Sequence, residues 1–194
     1  MFQVVYMKEL EEKILKSGEV ADGDILKVGS FLNQKVDIHL LKRMTEETAR
    51  LMGEGVTKVL SIEASGLMFA TAVAMEYGVP LVFAKKSKTE NIGEGLLTAE
   101  VYSFTHKEPY TIYVPGEYID ENDRVLIADD FLANGEALRG LIQMVEKRNA
   151  SVFGCVVQIE KQYQGGGDAL RAKGYNVIAL ASIKSMSDNN LIFN

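Results

Sequence analysis

The stretch Arg124-Val125-Leu126-Ile127-Ala128-Asp129-Asp130-Phe131-Leu132-Ala133-Asn134-Gly135-Glu136-Ala137 runs from apolar residues into two adjacent carboxylates, then a loop of small residues, then a helix start. In open parallel sheets, ligands bind just beyond the carboxyl ends of the strands, which is where Asp129 and Asp130 fall. Carboxylates only accept hydrogen bonds, so a pair of them suits a vicinal diol such as the 2- and 3-hydroxyls of ribose. The unpaired amides and positive end of the following helix favour a phosphate. Together these features describe a site for ribose 5-phosphate. Two other readings stay open on these residues alone. The acids could cap the helix and complement its dipole, or they could hold Mg²⁺ as in many phosphoryl-transfer sites.

Other candidates are weaker when taken singly. Ser61-Ile62-Glu63-Ala64-Ser65-Gly66 is a second strand-to-helix junction whose amides could meet an anion, but by itself it reads as an ordinary turn with Ser65 as N-cap. Lys85, Lys86 and Lys88 form a basic cluster, of which Lys86 and Lys88 read as solvated surface. The single cysteine, Cys155, lies in an apolar run and reads as a small core residue; an unpaired thiol suits a reducing compartment such as the cytoplasm. The only two histidines, His39 and His106, are far apart and have no ligand-spaced neighbours, so no metal site is expected. A formal charge of −6 argues against broad nucleic-acid binding.

The elements that must position these residues follow an α/β rhythm. Apolar residues at helical spacing predict helices over 7–17 and 37–53, each stopped by glycine, with Asp37 as an N-cap. The segment 25–33 is mixed and extended. A buried strand at 57–62, a helix at 66–77 and a strand at 80–84 make a βαβ unit and hence a parallel sheet. The rhythm breaks over 85–108, then resumes with a strand at 124–128, a helix at 135–148, a strand at 152–159, a short helix at 168–173 and a strand at 175–182. Long insertions in compact domains are more often functional than idle. Residues 86–114 have the composition of a flap that covers a site, and equally of a structural β-arm or dimer contact. The tail 185–194 is polar and peripheral. Residues 1–6 are too short and unflanked for a signal peptide or a membrane span, and Met7 offers an alternative start.

Several of these segments together resemble the type I phosphoribosyltransferases, with wording closest to the bacterial xanthine-specific branch. The resemblance rests on DDFLANG at 129–135, ILKVGSFLN at 25–33, SIEASG at 61–66, PLVFAKK at 80–86, LLTAEVYSFT at 96–105 and IEK at 159–161. It implies a single domain over 1–194, with a central parallel sheet flanked by helices, a small N-terminal hood mainly over 7–36 and a flexible arm at about 86–114. It also implies a homodimer in purine salvage, with xanthine and phosphoribosyl diphosphate as substrates and Mg²⁺ carried mainly by the diphosphate.

The resemblance assigns the following site residues. Asp129 and Asp130 take the ribose and steady charge that develops on it; Ala133, Asn134, Gly135, Glu136 and Ala137 take the 5-phosphate. Glu63, Ala64, Ser65 and Gly66 take the diphosphate, helped by Lys85. The purine falls near Leu26, Phe31, Asn33 and Lys161. Lys161, a donor only, suits a 6-oxo purine, and Asn33 could donate to the 2-oxo group that marks xanthine. Phe31 could stack on the base and Leu26 contribute a backbone contact. Without the resemblance, Lys161, Asn33 and Phe31 would read as a strand-end cation, a turn residue and core. The loop departs from the family pattern: Asn134, Glu136 and Ala137 stand where hydroxyls and a second glycine are usual. Backbone amides must then supply most of the phosphate grip, and Glu136 must point away. The residues offer no convincing general base. Alternatives are a hypoxanthine or guanine enzyme, a non-catalytic nucleotide-sensing regulator of the same fold, and an inactive homologue.

Overall fold

The computed structural model describes residues 6–21, 24–87, 95–103, 108–187 and 190–194. Its elements in order are α1 (Lys8–Ser17), β1 (Glu19–Ala21), β2 (Ile25–Lys27), a π-helical turn (Gly29–Asn33), α2 (Ile38–Met52), β3 (Lys58–Ile62), α3 (Gly66–Tyr77) and β4 (Leu81–Ala84). There follow β5 (Leu96–Ser103), β6 (Glu108–Pro115), β7 (Arg124–Leu132), α4 (Glu136–Lys147), β8 (Ser151–Lys161), α5 (Gly166–Ala172), β9 (Val177–Ser187) and β10 (Asn190–Phe193).

The central sheet has the order β10-β9-β8-β7-β3-β4, parallel except for β10 at one edge. Alternate residues of β7 feed two cores, Val125 and Ile127 on one face and Leu126 and Ala128 on the other, as strand periodicity requires. The first core contains α4 and the β5–β6 arm; the second contains α1, α2 and α3. The connection out of β3 therefore crosses one face of the sheet and the connection out of β7 crosses the other. The ladder between these neighbouring strands runs from Lys58↔Val125 to Leu60↔Ile127, short of their carboxyl ends, at the topological switch point where open α/β sheets bind ligands.

Local chemistry explains the helix ends. Asp37 accepts a hydrogen bond from the Leu40 amide at 3.2 Å and opens α2, and Gly78, in the left-handed region at φ 65°, closes α3.

Three expected segments differ from the sequence reading. The strand expected to stop at 128 runs on to Leu132, because β8 continues to pair with it through Asp129↔Val157, Phe131↔Ile159 and Leu132↔Glu160. The acids therefore lie on a hydrogen-bonded strand. The tail expected to be peripheral extends β9 and forms β10, whose Leu191 and Phe193 pack on the second core. Over 25–33 only Ile25–Lys27 is extended.

The described part of the arm is structural. Ala99, Val101, Ile112 and Val114 are buried in the first core, a Cβ at Gly140 of α4 would sit 2.8 Å from Val101, and Lys147 donates to the Thr98 carbonyl at 2.7 Å. Residues 88–94 and 104–107 of the expected flap, with Lys88 and His106, lie outside the described residues, as do residues 1–5, which bear on the choice of start.

Candidate functional site

Asp129 and Asp130 are both nearly buried, at 5% and 8% exposure. Their carboxylates are fixed locally: Asp129 Oδ1 accepts the Asp130 amide at 2.9 Å, and Asp130 Oδ1 accepts the Phe131 amide at 3.0 Å. The two side chains meet different surroundings. Asp129 lies under the 63–66 loop, so close to Gly66 that a Cβ there would overlap Asp129 Oδ1. Burial first, and the neighbouring Asp130 charge second, push the Asp129 carboxyl well above the usual carboxylate range. Ser61 Oγ, also buried and without a hydrogen-bond partner, lies 3.1 Å from the same Gly66 position. Asp130 instead lines a cavity of about 280 Å³ together with residues 131–138.

That cavity opens at the 133–137 loop. Gly135 takes φ 81°, a turn that L side chains resist, and α4 starts at Glu136 with no side-chain cap on its first amides. The Glu136 carboxylate is engaged by Arg139, which also donates to the Asn134 carbonyl at 2.6 Å. The acid that would have opposed a phosphate is thus neutralised along the helix. Arg139 went unnoticed in the sequence, although an acid and a base three apart on a helix are a readable pair.

The arm and the strand after α3 close the cavity with Tyr102, Tyr110 and Lys86. Here the structure separates the two neighbouring cations. Lys85 pairs its backbone with Tyr113 at 3.0 and 2.9 Å, and lines a different groove with Leu81, Phe83 and Tyr118. Lys86, 5.5 Å over the Tyr110 ring, faces the acid pair and favours the charged form of Asp129. Strand alternation is the reason: Lys86 shares a face with Val82 and Ala84, and Lys85 with Leu81 and Phe83. The Lys86 amide also donates to Glu63 Oε1 at 2.6 Å, tying this segment to the 63–66 loop.

On the other side of the acids stands the hood. Asn33 Nδ2 lies 3.5 Å from Asp130 Oδ2, so the N-terminal turn touches the strand end directly. Lys161, at the end of β8, donates to the Asp24 carbonyl and lies 5.9 Å over the Phe131 ring. Burial lowers its ammonium pKa, and the Asp24 charge opposes that shift. Leu26 is 7% exposed on β2. Phe31 is 2% exposed, packed in the second core with Lys13 at 5.7 Å over its ring. The aromatic ring between Asp130 and Lys161 is that of Phe131, only partly buried. The sequence reading passed over it because it stood inside what looked like a loop.

Among the described residues, no group of three or more His, Cys, Asp or Glu is placed to hold a metal ion. Burial pushes the Cys155 thiol up to about 12, which suits a core residue and removes it as a nucleophile. No helix among the described residues is long and apolar enough to cross a membrane.

Residues 28–180 match the family model of the phosphoribosyl transferase domain. A xanthine phosphoribosyltransferase of Lactobacillus delbrueckii subsp. bulgaricus is 48% identical over 189 residues, covering 97% of this chain and 100% of that protein. A xanthine phosphoribosyltransferase of Bifidobacterium longum subsp. infantis is 47% identical over 183 residues, covering 93% and 95% respectively. Among solved structures, the adenine phosphoribosyltransferase of Leishmania tarentolae superposes with a TM-score of 0.75 at 22% identity, covering 93% of this chain and 90% of that one. At that identity the likeness speaks for the fold alone.

Proposed function

The chain belongs to the phosphoribosyltransferase family, and from that premise we propose how its residues divide one reaction among them. The enzyme transfers the 5-phosphoribosyl group from phosphoribosyl diphosphate to xanthine, giving xanthosine 5′-monophosphate and diphosphate. The bond between C1 and the diphosphate oxygen breaks, positive charge builds on the sugar ring, and a purine nitrogen forms the new bond to C1.

In this reading the amides of residues 133–137 hold the 5-phosphate and Asp130 accepts from the ribose hydroxyls. Asp129 lies beneath the 63–66 loop and joins the sugar site to the diphosphate site. Lys86 balances diphosphate charge. Phe131 presents a face to the base, Lys161 donates to its 6-oxo group, and Asn33 donates to its 2-oxo group. The observation that carries this arrangement is the 3.5 Å approach of Asn33 to Asp130, which sets base and sugar pockets edge to edge. Holding both reactants at that junction supplies the proximity the reaction needs, and the acids face the charge that develops.

Mg²⁺ fits as a passenger on the substrate. It is a hard cation that prefers phosphate oxygens and water, and the described residues offer it no cluster of their own. Bound to the diphosphate, it would neutralise charge on the leaving group.

The described parts of the hood (7–36) and of the arm (86–114) act as walls of a single domain. A homodimer is supported by the partly apolar groove of about 680 Å³ along the edge strand β4, where Phe83 and Tyr118 are exposed. The unpaired Cys155 thiol supports a cytoplasmic setting.

Competition among xanthine, guanine and hypoxanthine tests the base assignment. Xanthine should show the highest kcat/KM, and Asn33→Ala should erase most of its lead over hypoxanthine. A wild-type preference for guanine or hypoxanthine would overturn the role given to Asn33.

A further inference from the structure

We infer that Gly166 and Gly167, backed by the Glu160–Arg171 ion pair, are positioning residues that hold the phosphate loop in its binding conformation. The inference rests on the reading of 133–137 as that loop. The loop lacks the hydroxyls usual in its family, so its grip comes from backbone amides. Amides bind an anion well only when their directions are fixed beforehand. Something must fix them.

The start of α5 does so from behind. The Gly166 amide donates to the Ala133 carbonyl at 3.2 Å. A Cβ at Gly166 would overlap the Ala133 carbonyl oxygen and the Asn134 carbonyl carbon, and would lie 2.6 Å from the Gly135 nitrogen. These are backbone atoms of the loop itself and cannot swing aside as a side chain would. On the other side, a Cβ built at Gly135 would come within 3.4 Å of Gly166 Cα, and its φ of 81° itself favours glycine. Two backbones thus touch at a place where only glycine permits it.

The next residue anchors this contact to the sheet. A Cβ at Gly167 would overlap Glu160 Oε1. The Glu160 side chain is 2% exposed and pairs in a fork with Arg171 of α5, at 2.9 and 2.7 Å. Arg171 also donates to the Val177 carbonyl at 3.1 Å, which fastens α5 to β9. A fork of this kind fixes direction as well as distance. Glu160 in turn is paired with Leu132 in the ladder, one residue before the loop begins. The loop is therefore clamped between its own strand and a glycine wall pinned by a buried ion pair.

The test is a split between substrates in the full-length enzyme. Gly166→Ala should raise KM for phosphoribosyl diphosphate, and Kd for ribose 5-phosphate by calorimetry, about tenfold or more, since a misplacement of about 1 Å can cost on the order of 100-fold. KM for xanthine should stay within about twofold, below roughly 0.4 kcal/mol. Gly135→Val, inside the loop, should weaken ribose 5-phosphate at least as much. If Gly135→Val weakens binding and Gly166→Ala does not, the wall has no positioning role while the loop assignment stands. If neither does, the loop assignment itself falls. Equal losses for both substrates would mean general destabilisation and would also overturn the inference. Should Gly166→Ala fail to fold, Arg171→Lys decides, because it keeps the charge but loses the fork. A rise of about threefold confined to the phosphate ligands supports the wall, and an unchanged value refutes it.

Discussion

Around the phosphate, consecutive residues 133–137 offer amides from a turn whose shape is set by Gly135 at φ 81° and by the contact with Gly166. In the proposed purine site, by contrast, the groups are side chains from separate segments: Asn33 from the hood, Phe131 after the acids, and Lys161 at the end of β8. One end of the site is a piece of backbone held rigid, and the other is a meeting of distant side chains. A backbone site binds what every substrate of the family shares, the phosphoribosyl group. A side-chain site can be changed one residue at a time, so it is where choice of base can differ. On the proposed assignment, catalysis and specificity are thus separable in this molecule.

Asp130 belongs to both ends, lining the phosphate cavity while touching Asn33. Its removal should therefore have the largest effect. Asp130→Ala should lower kcat/KM for both substrates by about 100- to 1,000-fold, the range for losing a preorganised electrostatic contact with the transition state. Steady-state kinetics with each substrate varied in turn would measure it. A loss confined to xanthine would mean that Asp130 serves the base alone, and the comparison would need redrawing.

Legibility in the sequence followed the same division. The strand, acids, small loop and helix start of 124–137 were readable because their signal is contiguous. The α/β rhythm and the capped helix α2 were readable for the same local reason. The purine assignment of Leu26, Phe31, Asn33 and Lys161 came only through resemblance and did not include Phe131, since nothing in a single sequence says which of these distant residues lie together. The two lysines show a different gap. Strand alternation from the buried Val82 and Ala84 already pointed to Lys86, but the strand was expected to end before it mattered. The β10 edge strand was missed because four residues, Asn190–Phe193, are too few to show a period, and their pairing with β9 comes from sheet geometry.

Lys161 sharpens the comparison from the purine side. Lys161→Met keeps an unbranched apolar stem but removes the donor, leaving the 6-oxo group of the base unpaired. Hydrogen bonds to charged groups contribute about 1.5–3 kcal/mol, so kcat/KM for xanthine should fall about 10- to 100-fold. KM for phosphoribosyl diphosphate should remain nearly unchanged. The low pKa that burial gives Lys161 adds a second readout. Wild-type preference for 6-oxo over 6-amino purines should weaken as pH rises through that lowered value, and the Lys161→Met protein should show no such trend. Equal loss for both substrates would place Lys161 in the shared machinery.

The smallest expected change is one of stability, and it concerns the acid lying beneath both ends. Asp129 is held in its pocket with a pKa well above that of the unfolded chain, chiefly by burial and then by the Asp130 charge. A carboxyl whose native pKa is raised stabilises the fold below the unfolded value, and that contribution is lost as pH rises through the native one. At neutral pH the protein therefore carries a buried group whose ionisation opposes folding. Asp129→Asn keeps the shape and can still accept the Asp130 amide, now 2.9 Å away. Its new amide group would face Ser61 Oγ, which has no partner of its own. The melting temperature should rise at neutral pH, by about 2–4 °C for each kcal/mol relieved in a chain of this size. The gain should vanish toward pH 4, where the wild-type carboxyl is already neutral. Activity should fall at least tenfold, as expected when a strained, buried group serves function. A melting temperature that drops equally at pH 4 and pH 7 would show that Asp129 stabilises the fold as an ion. The raised pKa, and the cost assigned to ionising this acid in its pocket, would then both be wrong.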